Sequence, residues 1–481
     1  MFENTHSYFK FPSEVNNRLD VTFNDSLLDE IYTKIEQSKY PFLELGDVVN
    51  FIKDSRNPTH IPDEEFDYVE IGKIDTVKGK VNSIKMLGKE ATSSRVRRIM
   101  YRNHVIVSTT RPTRKAIAIV PPKLDGQICS TGLAVLRPKE GISAEFLFFA
   151  LRTNISKAQF EKYCTGSGYP AINQEKDLPK IKIPNPEVIE QDRILSIVKP
   201  IQVKALRLEV LAKRATQEAK NFFEGIFSID YPQADSENYF HLSGSSKKTV
   251  SFFKPIETIG NRLNYLSYNT KLQVIDQLKA KFNMIELKNA VEEKIFRGNQ
   301  PIYDENGDFK VIKTVDIQED RIKLDECLTV SEEFFNDNEA YHVKKGDILI
   351  ASTGIGSMGK VAIYEEETPA LCDSHISIVR LKESFDTSFI AHYLRSHFGQ
   401  VQIEQFFTGS SGQIELQVGD IGKIIIPNND ENGISYHDQV KLAIEMNEKF
   451  NTSYNLNWAA IRKWIEAENT FEQLVLERPE S

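Results

Sequence analysis

Apolar and small residues fall at Ile194, Val198, Ile201, Ala205, Leu208, Ala212, Ala215, Ala219 and Phe222, alternately four and three apart without a break. A register kept over four heptads is the seam of a coiled coil, because an ordinary surface helix buries a wider stripe and drifts out of a strict seven-residue repeat. A second seam lies at Ala443, Met446, Phe450, Ser453, Asn457, Ala460, Trp464, Ala467, Phe471 and Leu474. Two helices of similar length, each with one seam, are expected to pair within the chain. Pro200 should kink the first helix or mark its restart.

The stretch ahead of each seam is a copy of the other, offset by about 243 residues. Arg18-Leu19-Asp20 returns as Arg262-Leu263-Asn264, and Phe42-Leu43-Glu44-Leu45 as Met284-Ile285-Glu286-Leu287. The β-branched runs Val105–Ser108 and Ile117–Ile119 match Ile348–Ala351 and Val361–Ile363, which predicts paired strands on either side of a loop. Cys129 and Cys372 fall at equivalent strand positions, as do the helical stretches 146–152 and 389–395. Thr165-Gly166-Ser167-Gly168 and Thr408-Gly409-Ser410-Ser411 then precede Ile183-Pro184 and Ile426-Pro427. The order is therefore an α/β unit (residues 1–186), a long helix (187–227), a polar Ser-, Asp- and Asn-rich linker (228–257), a second unit (258–433), and a second long helix with its tail (434–481).

Composition changes this picture in two ways. Four cysteines without a C-x-x-C pair argue against zinc and against a disulfide scaffold, and no stretch is apolar enough to span a membrane, so a cytoplasmic protein is expected. The net charge of −9 means that any nucleic-acid contact must be locally basic. One such run exists: Arg95, Arg97, Arg98, Arg102, Arg111, Arg114 and Lys115 lie in twenty-one residues free of acid.

Gly354-Ile355-Gly356-Ser357-Met358-Gly359 satisfies G-x-G-x-x-G after a strand, but it leads into another strand rather than the helix a dinucleotide site requires. It reads as a flexible loop able to approach a groove. No Asn-Pro-Pro-aromatic methyltransferase loop, phosphate-binding P-loop, metalloprotease motif or nucleophile elbow is present, and the histidines are scattered singly. The chain is expected to have no catalytic activity of its own.

Two divergent repeats, each followed by a seam-bearing helix, resemble the specificity subunit of a Type I restriction–modification system. The most specific pieces are Gly346-Asp347-Ile348-Leu349-Ile350, Thr353-Gly354, Gly359-Lys360-Val361-Ala362, and the Thr-Gly-Ser turn before Ile-x-Ile-Pro in both halves. The resemblance implies an α/β (α+β) fold of two tandem target recognition domains, with the long helices forming an antiparallel coiled coil. It implies that each domain reads half of a bipartite site on double-stranded DNA. It further implies that modification subunits, two of them by expectation, dock on the helices and bind S-adenosylmethionine, while a restriction motor-nuclease subunit cuts. This chain itself would hold no cofactor and no metal. A specificity subunit serving a fused methylase–nuclease is the near alternative, and a protein-binding scaffold the distant one.

Side chains suited to base edges and phosphates then become the expected DNA contacts: Arg95, Arg97, Arg98, Arg111, Arg114 and Lys115 in the first repeat, and Ser352, Thr353, Ser357, Lys360, Ser410 and Gln413 in the second. On the helices Leu208, Ala212, Ala460 and Trp464 are the expected partner contacts. In alignment, Arg111, Arg114 and Lys115 fall where Ser352, Thr353, Ser357 and Lys360 do, so two unlike half-sites are anticipated.

Overall fold

Both seams become helices, Val188–Phe227 and Tyr436–Leu476. The computed structural model describes residues 26–166, 169–229, 240–241, 250–251, 273–318, 321–354, 357–408 and 414–477. The linker beyond residue 229, apart from its two short strands, lies outside them, as do Ser410 and Gln413. Contacts divide the chain into two compact units, residues 1–211 with 455–481 and residues 212–454. Each long helix thus contributes one half to each unit.

In the first unit Val198 and Ala205 are buried on one helix and Ala460 and Ala467 on the other; in the second unit the buried positions are Ala212 and Ala219 with Met446 and Ser453. The repeat between fully buried positions is seven, and most of these residues are small, so the backbones approach closely. The Ser453 hydroxyl donates to the Ala212 carbonyl at 2.8 Å and lies 2.6 Å from Thr216 Oγ1. Trp464 Nε1 donates to Glu209 at 2.7 Å. Residue 209 faces 464 and residue 216 faces 453, so the helices are antiparallel.

Three details depart from the expected seam. Pro200 is exposed and the helix runs through it without a break. Asn457 is exposed rather than in the seam. Past Ala219 the buried positions are Phe223 and Phe227, with Phe222 only half-buried. There the helix meets a globular core containing Phe389, Tyr393 and Phe398, and a four-residue stripe replaces the heptad.

The globular parts share one plan. In the first unit a four-stranded antiparallel sheet has the order Val49–Ile52, Leu133–Pro138, Val105–Ser108, Ile117–Ile119. Its counterpart in the second unit has the order Phe296–Arg297, Ile376–Val379, Ile348–Ala351, Val361–Ile363. A second sheet in each contains one parallel pair, Tyr68 and Val69 beside Ile128 and Cys129, and Val311 and Ile312 beside Leu371 and Cys372. The two cysteines are thus core residues at one position; burial pushes the Cys129 thiol up to about 12 and raises that of Cys372 as well. Phe42–Glu44 pairs with Lys182–Pro184, and Met284–Glu286 with Ile425–Pro427, tying the start of each unit to the strand that leads into its long helix.

Helices are set onto this frame by buried polar side chains at matching positions. Gln159 takes the Lys182 N–H and donates to its carbonyl, and Gln402 does the same for Ile425, so each amide stands in for a strand edge. Glu472 accepts from the Asn154 and Ile155 N–H groups at one helix start, and Glu224 from His397 N–H at the other; a carboxylate at a helix N-terminus satisfies orphan donors and complements the dipole. In the first unit Arg152, 1% exposed, donates to Glu468 and to the carbonyls of Thr76, Val77 and Lys115. That places the 75–80 turn over Phe148, where only Gly79 fits: its φ is +65° and a Cβ would lie 2.3 Å from the ring.

Candidate nucleic-acid interface

In each unit the loop after the central strand meets the Thr-Gly turn. Thr110 bridges to Ala171, and Thr165 bridges to the same residue; in the second unit Thr353 and Thr408 both bridge to Glu415. The first surface is laced further by Arg111 N–H to the Pro170 carbonyl (2.7 Å), Ile172 N–H to Thr109 (2.9 Å), and Gln174 Nε2 to the Thr131 carbonyl (2.9 Å). Thr131 N–H in turn bonds to the Arg95 carbonyl, which brings the far end of the basic run alongside. The second surface has Thr353 Oγ1 at 2.8 Å from His375 Nδ1, and Arg297 ion-paired with Glu415 and donating to Leu416.

Strand pairing fixes the equivalence of the two loops. Val107 faces Ile117 and Ile350 faces Val361, the register of the strand matches read in sequence, so Arg111 corresponds to Gly354 and Lys115 to Gly359, one place away from the Thr353 and Lys360 set against them there. All four residues are left-handed: φ is +48° at Arg111 and +58° at Lys115, against +92° at Gly354 and +80° at Gly359. Glycine reaches this region freely, whereas an L-residue there costs about 1–2 kcal/mol. The first unit therefore keeps two basic side chains where the backbone favours none.

What those side chains do is visible. Lys115 Nζ is 3.0 Å from Glu468 on the second long helix, so it braces the helix instead of reaching outward. The Arg111 guanidinium lies over the ring of Tyr169, 4.5 Å from its centroid, and Tyr169 is 75% exposed. The pair borders an open cleft of about 540 Å³ whose other walls include Ile71, Ile74, Asp75, Thr110 and Arg114.

The remaining expected contacts separate by placement. Arg95, Arg97 and Arg114 are exposed, while Arg98 is turned inward and donates to the Ile52 carbonyl at 3.1 Å. A bulge between Val96 and Arg98 interrupts the alternation of that strand. Ser352 is fully buried, its hydroxyl 2.6 Å from Ser377, and its counterpart Thr109 is buried too, so Ser352 is not on the outer face. Thr353, Ser357 and Lys360 are half-buried around the loop. The G-x-G-x-x-G run leads into the strand Val361–Ile363, as its sequence context implies. Tyr169, Gln174, His375 and Arg297 were not anticipated; an aromatic in the Gly-Ser-Gly-Tyr-Pro turn was the one signal available for the first.

On the helices Ala212, Ala460 and Trp464 are buried inside the chain, which leaves them no surface for the partner contact expected of them, whereas Leu208 is half-buried. Burial works to raise the Glu209 carboxyl, but donors on Lys80 and Trp464 with the nearby Lys78 charge hold it below the usual carboxylate range. Exposed apolar side chains on the same helices include Val203, Leu206, Val210, Trp458 and Ile465. Among the described residues no helix is long and apolar enough to cross a membrane.

Two tandem mixed α/β modules, each closed by a long helix that pairs with the other, define a duplicated recognition scaffold. The chain belongs to the Type I restriction modification DNA specificity domain family, whose model matches residues 37–213 and 279–437. Among solved structures it is similar to the HsdS subunit from Thermoanaerobacter tengcongensis (20% identity, 91% of this chain and 96% of that one, TM-score 0.36). The Type I S subunit from M. genitalium is also similar (13%, 92% and 97%, TM-score 0.38), as is a chain from a study of complex assembly and conformational transition in the type I R-M system (20%, 91% and 97%, TM-score 0.39). No protein of curated function matches the sequence.

Proposed function

We propose that the chain is the DNA-reading subunit of a restriction–modification complex, each unit reading one half of a bipartite site on double-stranded DNA. The observation that carries this is a shared framework with unlike loops: Arg111 and Lys115 against Gly354 and Gly359 on equivalent strand pairs. A common scaffold with divergent loop chemistry is what two different half-sites require.

Methyl transfer, S-adenosylmethionine and the motor-nuclease belong in this reading to partner subunits. Two modification subunits would dock on the outward apolar side chains of the helices, Leu206, Val210, Trp458 and Ile465 among them, rather than on the seam. The complex would work in the cytoplasm. Exchanging residues 14–185 for the equivalent unit of another family member, followed by mapping of methylated adenines, tests the assignment. One half of the methylated sequence should change, with the other half and the spacing unaltered; a change in both halves together would refute it. Adding one heptad to the 190–223 helix should alter the gap alone.

A further inference from the structure

We propose that His375, its ring set by Thr353, reads a purine in the half-site recognised by the second unit, with Nε2 donating to the N7 of the base and Thr353 acting as the positioning residue. This rests on the DNA-reading function proposed above and names the reader and the class of base within it.

Strand register sets His375 against Gly132. Ala351 faces Ile376 and Ser108 faces Leu133, and His375 and Gly132 are the residues just before those partners. The backbone around the two is the same: Ser352 N–H donates to the His375 carbonyl at 2.8 Å, and Thr109 N–H to the Gly132 carbonyl at 2.9 Å. Only the side chains differ. A Cβ at Gly132 would lie 3.0 Å from Ile71 Cδ1, so the first unit closes this position, whereas the second opens it and places an exposed imidazole there.

That imidazole fills no core, yet it is held. The His375 N–H donates to Asp373 Oδ1 at 3.0 Å, and ring Nδ1 lies 2.8 Å from Thr353 Oγ1, on a residue whose backbone is bridged to Glu415. Among the described residues Nε2 has no partner. A hydrogen bond between two outlying side chains adds little to stability. It does fix the direction of the ring, which lowers the cost of ordering it on a ligand. Gly354, next to Thr353, carries no side chain, and the space where its Cβ would stand is empty to 4 Å, so that residue leaves the approach to the pair open.

With the Thr353 hydroxyl donating to Nδ1, the ring proton sits on Nε2, a single donor with a set direction. Both purines present N7 as an acceptor on the major-groove edge, while cytosine presents an amino donor and thymine sets a methyl group beside its one acceptor. A phosphate calls for charge rather than direction, and Lys360 at the end of the same loop supplies that.

The test uses the full chain with its partner modification subunits and measures methylation rates on duplexes that carry each of the four bases at every position of the wild-type site. His375→Ala is informative because Gly132 shows that this frame needs no imidazole. At one position of the half-site that depends on residues 258–428, the preference for purine over cytosine should fall about 3–10-fold, the worth of one hydrogen bond, with every other position unchanged. Thr353→Val, which keeps the shape without the hydroxyl, should relax the same position, and Thr353→Ser should retain the wild-type preference.

Unaltered preference in His375→Ala overturns the proposal. Uniform weakening across all sequences also overturns it and would assign His375 to a phosphate. Loss of a cytosine preference instead of a purine one overturns the donor role of Nε2, and relaxation in His375→Ala with none in Thr353→Val overturns the positioning role. Failure of the underlying function shows elsewhere, as a wild-type half-site that does not follow residues 14–185 in the domain exchange.

Discussion

Replacing Glu468 with alanine should isolate a buried cation. Arg152 is 1% exposed and donates through Nε to Glu468 at 2.6 Å, with Nη2 2.5 Å from the same carboxylate, while the hydrogen bonds of Nη1 and Nη2 go to neutral carbonyls. Without the carboxylate a guanidinium remains in the core uncompensated; breaking a buried pair from one side costs about 3–5 kcal/mol. Lys115, the second partner of Glu468, is partly exposed and can regain water, so it adds little. Against a typical domain stability of about 5–15 kcal/mol, the loss is large.

Both tryptophans, Trp458 and Trp464, lie in the first unit, so intrinsic fluorescence during urea unfolding follows that unit selectively. Glu468→Gln should fall between wild type and alanine, because it keeps an acceptor without the charge. Arg152→Met combined with Glu468→Leu should recover much of the loss. A cost below about 1 kcal/mol for Glu468→Ala, or a double variant as unstable as the single, would refute the argument from uncompensated charge.

Ala460→Asp places a charge at a fully buried seam position and should cost several kcal/mol by the same fluorescence assay, whereas Leu208→Asp, at a half-buried site, should cost clearly less; equal losses would contradict the seam as described. His392 is buried between Phe223 and Phe450, and burial, helped by the Arg395 charge and opposed by the Asn447 bond, pushes it down to about 4. Its folded value lies below its unfolded one, so the unfolded state takes the proton first as pH falls. Stability is complete above about pH 6.5 and should decline by about 3 kcal/mol on reaching pH 4, with His392→Gln flattening that slope. Hydrogen exchange across Thr387–Arg395 measures it, and a slope unchanged in the variant would exclude this histidine as the cause.

The heptads, the repeat and the family resemblance lay in the sequence because each depends on spacing along the chain. A coiled-coil seam and a duplicated strand pattern are one-dimensional signals, and both survive divergence in loops. The equivalent cysteines were legible as core residues for the same reason. Which side chains face outward was not, because that depends on partners far away in sequence. Lys115 looked like a DNA contact until its mate proved to be Glu468, 353 residues on. Ser352 looked exposed in a Ser-Thr-Gly loop, yet its hydroxyl closes against Ser377. Arg98 looked outward like Arg95 and Arg97, yet it follows a bulge and donates to the Ile52 carbonyl, 46 residues back. Tyr169 and Arg111 are 58 residues apart and meet only because the loop after one strand bridges to the Thr-Gly turn. The match of Arg111 with Gly354 was already implied in sequence by setting Val105–Ser108 on Ile348–Ala351; strand pairing keeps that register and, across a loop one residue longer in the second unit, sets Lys115 on Gly359.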